Sequence, residues 1–247
     1  MKDPFSILNR IEAEYVLDAA TGRGDFINFL KKHLKSYVQI IGVDTSPKMI
    51  DLAQKMFPEN DVEIYQMDLN QLEYEDSYFD LVCMANALHH MQEPQKVLDE
   101  LLRVLKPKGM FLLTEMYSDG EQTEAQMTHV LMHHWRASID SMMGTFHRET
   151  YKKEELTKLV RKMKLNKLEI VDFYHPTDNP KDARLCANLK KTCRTVMKKL
   201  DGLEDKEALT AQGEELIRRI DRVGFASARS LLITGIKPDK KAKSKEK

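Results

Sequence analysis

Residues 18–26 read Asp-Ala-Ala-Thr-Gly-Arg-Gly-Asp-Phe, and this stretch decides the fold that we predict for the chain. It overlaps the end of an apolar run, Tyr15–Ala20, that is typical of a buried strand. After it, Phe26, Leu30 and Leu34 recur every four residues, as on one face of a helix. Glycines at such a junction let the backbone turn tightly, and the amides that open the helix can donate hydrogen bonds to a ligand. The stretch therefore predicts a ligand-binding turn between a strand and a helix.

The first half of the chain repeats this alternation of short apolar runs and amphipathic segments. The predicted strands are residues 15–20, 38–43, 62–67, 79–85 and 110–114. A helix is predicted after each of the first two strands and from residue 94 onward. Alternation of this kind indicates βα units and a parallel sheet. Because the strands are apolar almost throughout, we expect helices to cover both faces of that sheet.

The second half of the chain carries more helix than strand. The helices predicted here are residues 119–143, residues 150–163 and two within residues 181–223, and the strands are residues 168–174 and 229–236. The first of these helices is rich in methionine and histidine.

The composition of the 247 residues excludes several classes of protein. A hydrophobic fraction of 42% with three cysteines excludes collagen, a disulfide scaffold and a wholly disordered chain. The 39 basic residues balance the 39 acidic ones, whereas a dedicated nucleic-acid-binding protein is usually basic. The segment 237–247 holds six lysines against two acidic residues and is predicted to be a disordered tail.

Neither a signal peptide nor a membrane span is expected. The N-terminal residues carry charges and Pro4 where a signal peptide would need an apolar stretch. Apolar runs stay well short of the roughly 18 residues that cross a membrane. Cys83, Cys186 and Cys193 are too scattered for a disulfide or zinc framework. We therefore expect a soluble, cytoplasmic protein.

Polar residues stand at the ends of the first four predicted strands: Asp18, Asp44, Asp68 and Asn86. Ligands of open α/β sheets bind at that edge. A carboxylate at Asp44, twenty residues after Gly24, can accept both hydroxyls of a ribose, and Asp68 stands where an adenine amino group could be bound. The dinucleotide fingerprint needs a third glycine where this chain has Ile27, which disfavours a pyrophosphate. The pattern predicts a nucleoside site.

These residues resemble the motifs of class I S-adenosylmethionine-dependent methyltransferases. The resemblance runs from about Tyr15 to Thr114, with a compatible end at residues 168–236. The family's turn is typically Asp-x-Gly-x-Gly-x-Gly, and here Ala20 replaces the first glycine. The subgroup of ubiquinone and menaquinone C-methyltransferases also tolerates alanine there and has an aspartate where this chain has Asp25.

The resemblance implies an α/β fold, with a Rossmann-like, doubly wound seven-stranded sheet whose last strand is antiparallel. One methyltransferase domain would cover residues 1–236, with core segments 15–116 and 168–236. Helical lid segments would be inserted at residues 117–166 and 181–223.

The resemblance also implies S-adenosyl-L-methionine as cofactor and S-adenosyl-L-homocysteine as its product. Gly22 and Gly24 would pass the methionine part, and Asp18 would lie close to its amino group. Asp44 would hold the ribose, and Asp68 the adenine N6. The residues implied to bind the cofactor are Asp18, Ala20, Gly22, Gly24, Asp44, Thr45, Met49, Met67, Asp68, Leu69 and Asn86.

Histidines concentrate in the middle of the chain, and His134 and His90 are the predicted catalytic residues. A general base is needed only if the acceptor holds its proton. His134 lies on the apolar face of a predicted helix and is either a base or a core residue. His90 follows the fourth strand and is either catalytic or structural. His129 and His133 have the spacing of a two-histidine metal site, but no Glu or Cys at matching spacing completes one, so no metal is predicted.

The predicted helix 119–143 and the residues after it hold a cluster of methionines together with Trp135 and Phe146. The methionines are Met116, Met127, Met132, Met142 and Met143. They either fill gaps in the core or form a flexible pocket for a hydrophobic or aromatic acceptor. Because 14 residues before the first strand are too few for an N-terminal cover, we expect acceptor choice to reside in the two lid segments.

The function that we predict is methyl transfer from S-adenosylmethionine to a small, apolar or aromatic molecule. One alternative is a non-catalytic cofactor-binding regulator, and another is a methyltransferase acting on RNA or protein. A dehydrogenase is disfavoured by Ile27 and by Glu155, which stands where Tyr-x-x-x-Lys after Tyr151 would need lysine. Asn86-Ala87-Leu88-His89 differs from the Asn/Asp-Pro-Pro-Tyr/Phe of base-amino methyltransferases, so nucleic acid is not the expected partner. The sequence leaves open whether the chain acts alone or as a homodimer.

Overall fold

The predicted apolar runs become the strands of one sheet. The computed structural model describes residues 4–58, 60–204 and 206–239. The strands are β1 (Glu12–Ala19), β2 (Ser36–Asp44), β3 (Val62–Gln66), β4 (Phe79–Ala85), β5 (Leu105–Met116), β6 (Asn166–Phe173) and β7 (Ser230–Ile236). The helices are α1 (Asp25–His33), α2 (Pro47–Met56), α3 (Pro94–Val104), α4 (Glu124–Met142), α5 (Lys153–Lys162), α6 (Ala183–Lys198) and α7 (Lys206–Val223). A 3₁₀ helix, Pro4–Arg10, precedes β1.

The strand order is β3-β2-β1-β4-β5-β7-β6. Strands β1 to β5 pair in parallel, and β7 runs antiparallel between β5 and β6. The predicted Rossmann-like, seven-stranded sheet with an antiparallel last strand is therefore confirmed. The chain proceeds from β1 to β2 on one side, and β4 lies on the other side of β1. This reversal between β1 and β4 opens a crevice at their carboxyl ends, which is where such sheets bind ligands.

Helices bury both faces of the sheet, as the continuous apolar strands predict. Val16 and Leu17 are neighbours in β1, both fully buried, yet they belong to different apolar clusters. The cluster of Val16 contains residues of α1 and Leu8 of the 3₁₀ helix, whereas the cluster of Leu17 contains residues of α3 and α5. Successive strand residues point to opposite faces, so each strand contributes to two cores.

Helices α4, α6 and α7 form a third apolar cluster away from the sheet. Its centre is Trp135, whose indole Nε1 donates a hydrogen bond to the Leu209 carbonyl over 2.8 Å. Cys193 and Ile220 pack against it from α6 and α7. The segment 181–223, predicted as part of a lid, thus serves as a support for α4.

The first three residues of the predicted disordered tail, 237–239, are part of the described structure, and Lys237 is held in place by hydrogen bonds. The Lys237 backbone N–H donates to the Gly109 carbonyl over 2.9 Å. Its Nζ donates to the carbonyls of Leu102 and Leu105, each over 2.5 Å, at the end of α3. A lysine placed there satisfies carbonyls that a helix end leaves without an intrahelical partner. Residues 240–247 of the tail lie outside the described residues.

Across the parts of the chain that the structure describes, no helix combines the length and the apolar character that crossing a bilayer requires.

Gly42 of β2 lies directly under the turn that follows β1, at a position where the neighbouring side chains leave no room for a Cβ atom. A Cβ added there would lie 2.7 Å from Ile64 Cδ1, 2.9 Å from Ile27 Cδ1 and 3.0 Å from Thr21 Oγ1. We expect Gly42→Ala to lower the free energy of unfolding by about 1–3 kcal/mol through overpacking. The control is Val38→Ala on the same strand, where the side chain is 65% exposed and the change should stay within about 0.5 kcal/mol. Equal effects in chemical denaturation would contradict this packing.

Candidate active site

A cavity of about 960 Å³ opens at the carboxyl ends of β1, β2, β4 and β5. This volume suits a ligand of nucleoside size, since ligand pockets typically measure about 300–1,000 Å³. Four carboxylates line it, and aromatic rings form much of the remaining wall. The predicted residues that line it are Asp18, Ala20, Gly22, Asp44, Thr45, Asp68, Leu69, Asn86 and His90.

The turn after β1 is built from left-handed backbone. Ala20 has φ 55°, Gly22 has φ 56° and Gly24 has φ 88°. The Thr21 N–H donates to the Val43 carbonyl over 2.9 Å, which ties the turn to β2. Gly24 precedes α1, and a Cβ on it would overlap the ring of Phe57. The turn therefore needs glycine at Gly24 both for its conformation and for the close approach of α2's final turn.

Asp44 holds this turn to the start of α2. Its Oδ2 accepts from the Gly22 N–H over 2.9 Å, and its Oδ1 accepts from the Ser46 N–H over 2.9 Å. Each carboxylate oxygen can accept a further hydrogen bond. The same side chain therefore shapes the turn and still offers acceptors to a ligand in the cavity.

Asp18 lies under the turn with 1% of its surface exposed. Its Oδ2 accepts from the Thr21 hydroxyl over 2.5 Å. Burial raises the pKa of Asp18 to about 7, although the Thr21 hydrogen bond acts in the opposite direction. A cationic group bound beside it would favour the ionised carboxylate.

Asp68 and Asn86 stand at two further edges of the cavity. Asp68 is exposed, and its Oδ1 accepts from both the backbone N–H and the side-chain amide of Asn70, each over 2.9 Å. These hydrogen bonds lower the pKa of Asp68. Asn86 has φ 49°, a conformation that asparagine tolerates better than most residues. Its backbone N–H donates to the Thr114 carbonyl over 2.8 Å, so the loop after β4 is tied to β5.

Four predicted site residues lie outside the cavity wall as the structure describes it: Gly24, Met49, Met67 and His134. Gly24 contributes to the site through the left-handed conformation that it gives to the turn after β1. Met67 packs beside the cluster that contains Leu69, and its backbone N–H donates to the Asp44 carbonyl over 3.0 Å. The contact of Met49 and Met67 with an adenine ring stays a prediction.

The two predicted catalytic histidines are in different surroundings. His90 lines the large cavity. His134 makes a 2.7 Å hydrogen bond through Nε2 to the Thr150 hydroxyl, and its Nδ1 lies 3.8 Å from Glu149. This geometry favours a role for His134 in holding the segment 145–150 to α4.

Aromatic side chains gather on one side of the cavity. Phe5, Phe26, Phe29, Phe146 and Phe173 all line it. The Phe5 ring packs edge-on against Phe29 at 4.8 Å and against Phe173 at 5.2 Å between centroids. Phe5 comes from the short N-terminal segment that we expected to be too brief to cover the site.

The lid segments contribute unequally to this wall. Thr145 and Phe146 come from the segment 117–166. Among the described residues of 181–223, none lines this cavity or the smaller one beside it. Of the five clustered methionines, Met116 alone lines a described cavity, while Met142 and Met143 are exposed. The methionine cluster is therefore not a continuous acceptor pocket.

A second cavity of about 500 Å³ adjoins the first, and Asn86, His90, Phe173 and His175 line both. The rings of His89, His90, His133 and His147 meet at its edge, with centroids of neighbouring rings 4.1–5.4 Å apart. Sequence spacing missed this cluster because its members come from the loop after β4, from α4 and from the segment after α4. The adjacent pair His89-His90 is the signal that could have drawn attention to it.

Ala20 carries a side chain in a backbone conformation that suits glycine. Left-handed backbone costs a non-glycine residue about 1–2 kcal/mol, against roughly 0.5–1 kcal/mol of extra chain entropy for glycine. We expect Ala20→Gly to raise the free energy of unfolding by about 0.5–1 kcal/mol in urea denaturation. The control is Ala19→Gly within β1, where the same replacement should be destabilising. A loss of stability in both variants would contradict the strain at Ala20.

The raised pKa of Asp18 has a consequence for stability. The pKa of this carboxyl is 3.8 in the unfolded chain and about 7 in the folded protein, so between these pH values the folded protein alone keeps the proton. The stability that the protonated carboxyl contributes is therefore fully present below pH 3.8 and is lost as the pH rises through 7. We expect wild type to lose stability relative to Asp18→Asn between pH 5 and 8, as measured by urea denaturation across that range. A difference between the two proteins that stays constant with pH would contradict the buried, protonated carboxyl.

Comparison with known proteins agrees with this architecture. Residues 17–113 match the sequence model of the family described as methyltransferase domain. The demethylmenaquinone methyltransferase of Thermotoga maritima is 34% identical over 110 residues, which cover 44% of this chain and 47% of that protein. The matched segment thus spans about half the length of this relative, and the family match ends at the close of β5.

Solved structures extend the likeness over the whole sheet. The [4+2]-cyclase SpnF superimposes with a TM-score of 0.60 at 18% identity, covering 95% of this chain and 78% of that one. A phosphoethanolamine N-methyltransferase of Haemonchus contortus in complex with S-adenosyl-L-methionine superimposes with a TM-score of 0.57 at 14% identity, covering 95% and 51%. Identities this low establish the fold alone. Residues 17–113 thus match a methyltransferase domain in sequence, and the sheet in which they lie continues beyond the matched segment.

Proposed function

We propose that the chain transfers a methyl group from S-adenosyl-L-methionine to a small apolar or aromatic acceptor. The observation that carries this proposal is the convergence of the left-handed turn, Asp44 and Asp68 on one cavity inside the matched methyltransferase domain. The cofactor supplies a methyl group on a positively charged sulfur.

The residues around the cavity fit that cofactor chemically. Its ammonium and sulfonium groups carry positive charge, and Asp18, Asp25, Asp44 and Asp68 line the cavity. The left-handed turn lets the methionine part pass close to the backbone at Gly22. Asp44 offers acceptors to the two ribose hydroxyls, and Asp68 offers one to the adenine amino group. Leu69 is buried and apolar, which suits the face of the adenine ring.

Methyl transfer from a sulfonium is an in-line displacement. The bond between the acceptor nucleophile and carbon forms as the carbon–sulfur bond breaks, and the electron pair of that bond neutralises the sulfur. The protein's main task is to align these three atoms and exclude water, a proximity effect that can lower the barrier by several kcal/mol. His90, which lies between the two cavities, is the better placed of the two candidate histidines to contact the acceptor.

The aromatic wall favours a flat, apolar acceptor. Phe5 contacts both Phe29 and Phe173 edge-on, an arrangement that could hold a ring by the same contacts. The name of the Thermotoga maritima relative points to a quinone-type acceptor for that protein. The segments that line the acceptor side lie mostly outside the matched residues, so we propose the class of acceptor and not a single molecule.

Two further expectations belong to this proposal. Cys83, Cys186 and Cys193 are all buried free thiols, which supports a reducing, cytoplasmic setting. A homodimer is one assembly that the chain could adopt, and size-exclusion chromatography with light scattering tests it.

Methyl transfer is tested with radiolabelled S-adenosyl-L-methionine and a panel of small aromatic acceptors that includes a demethylated naphthoquinol, with RNA and protein as comparison acceptors. The proposal expects label in a small molecule and S-adenosyl-L-homocysteine as coproduct. Cofactor binding without transfer to any acceptor would favour a regulatory protein. Label in RNA or protein alone would favour a macromolecular substrate.

The ribose assignment is tested by replacing the carboxylate that holds the turn. We expect Asp44→Ala to weaken binding of S-adenosyl-L-homocysteine by about 1–3 kcal/mol in isothermal titration calorimetry, because a charge-assisted hydrogen bond is lost. Asp51→Ala on the exposed side of α2 is the matched control and should bind as wild type does. Unchanged affinity of Asp44→Ala would remove this assignment.

A further inference from the structure

Four imidazole rings meet where the two cavities join, although they are far apart in sequence. His89 and His90 lie in the short 3₁₀ turn after β4, His133 lies on α4 and His147 follows α4. The ring centroids of His90 and His147 are 4.1 Å apart, and those of His89 and His133 are 4.4 Å apart. His89 and His147 are buried, with 3% and 7% of their surface exposed. Two of the rings thus lie in the interior, whereas His90 is exposed at the cavity wall and His133 is partly buried.

Two carboxylates fix the orientation of two of these rings. His89 Nδ1 lies 2.7 Å from Glu115 Oε1, and His147 Nδ1 lies 2.7 Å from Asp140 Oδ2. Since an ionised carboxylate only accepts, each Nδ1 carries the proton and each Nε2 keeps its lone pair. Histidines that bind metals are held in this way, with the second nitrogen donating to a carboxylate.

Three of the four rings are close enough to share one ion. One ring nitrogen from each of His89, His90 and His147 lies within 4.8 Å of the others. Ligands at about 2.0–2.1 Å from a tetrahedral zinc are separated by about 3.4 Å, which small side-chain rotations would reach. His133 Nε2 lies 3.1 Å from His147 Nε2, so it stands beside the same point.

We propose that His89, His90 and His147 bind a divalent transition-metal ion of the zinc type, with His133 as the neighbouring fourth ligand. Neutral imidazoles suit zinc, copper, nickel and iron better than magnesium or calcium. Glu115 is fully buried and also accepts from the Leu88 N–H over 2.8 Å. With Asp140 it places two carboxylates behind the ligands, and a divalent ion would balance their charge. Arg136 Nη2, 3.8 Å from Asp140 Oδ1, supplies part of that balance from the solvent side.

The proposed site differs from the sequence expectation, which considered only the pair His129 and His133 and predicted no metal. His129 and His133 have the right helical spacing, but His129 Nδ1 instead accepts from the Ala228 N–H over 3.0 Å. The partners of His133 come from other segments of the chain. The proposed ion would lie at the junction with the large cavity, beside Asn86 and His90, where it could hold an acceptor oxygen next to the methyl group. Metal binding itself does not depend on the proposed methyl transfer.

The test uses the full chain, stripped with a chelator and then titrated with Zn²⁺ and separately with Co²⁺. We expect one ion per chain by elemental analysis and the intense visible absorption of tetrahedral cobalt. His90→Ala and His147→Ala should weaken Zn²⁺ binding about tenfold or more, while circular dichroism reports whether they fold. His175→Ala, on the wall of the same cavity, is the matched control and should bind as wild type does.

A variant that keeps the size of the side chain separates metal binding from folding. Asp140→Asn should retain the fold and weaken Zn²⁺ binding about 10- to 100-fold, because the His147 ring loses its carboxylate partner. Absence of stoichiometric Zn²⁺ or Co²⁺ in the wild type would overturn the proposal and leave a hydrogen-bonded histidine cluster. Equal affinity in wild type, His90→Ala and His147→Ala would overturn it as well. Calorimetry with S-adenosyl-L-homocysteine on the same stripped protein shows separately whether the cofactor proposal holds.

Discussion

The carboxylate of Asp44 is the constraint on which the candidate site depends. It bridges the Gly22 N–H of the turn after β1 and the Ser46 N–H that opens α2, each over 2.9 Å. These bonds fix the end of β1 relative to β2 at the point where the strand order reverses. The left-handed residues Ala20 and Gly22 are held in place by this arrangement, and the buried Asp18 lies beneath them. Ala20, Gly22 and Asp44 all line the cavity, so this arrangement shapes one of its walls.

Much of this half of the molecule could be predicted from sequence. The strands are short apolar runs, and parallel strands place their carboxyl ends at one edge. Asp18, Asp44, Asp68 and Asn86 therefore fall around one cavity without any knowledge of distant contacts. The glycine turn could also be predicted, because its conformation depends on residues that are close in sequence. Spacing does not show which neighbouring side chains face inward: Met49 and Met67 do not line the cavity, and their contact with an adenine ring stays a prediction.

The acceptor side could be predicted less well, because it depends on long-range packing. The helices α6 and α7 belong to a segment predicted as part of a lid, and the sequence did not show that they bury Trp135 and pack with α4. Phe5, from a segment that looked too short to matter, forms part of the aromatic wall. The histidine cluster joins His89 to Glu115 and His133 to His147, and no period along the chain reveals such pairs. Tertiary contacts decide these positions, and the family match does not reach most of them.

The turn, Asp44 and Asp68 lie within the residues that match the methyltransferase family model, whereas Phe5, Phe146 and Phe173 of the aromatic wall lie outside them. The proposed role of Asp44 in holding the cofactor is tested most directly by a crystal structure with S-adenosyl-L-homocysteine bound. The account predicts the ribose hydroxyls on Asp44, the adenine beside Leu69 and Asp68, and the sulfur facing the space between His90 and the phenylalanine wall. A ligand bound elsewhere, or one whose ribose makes no contact with Asp44, would contradict it.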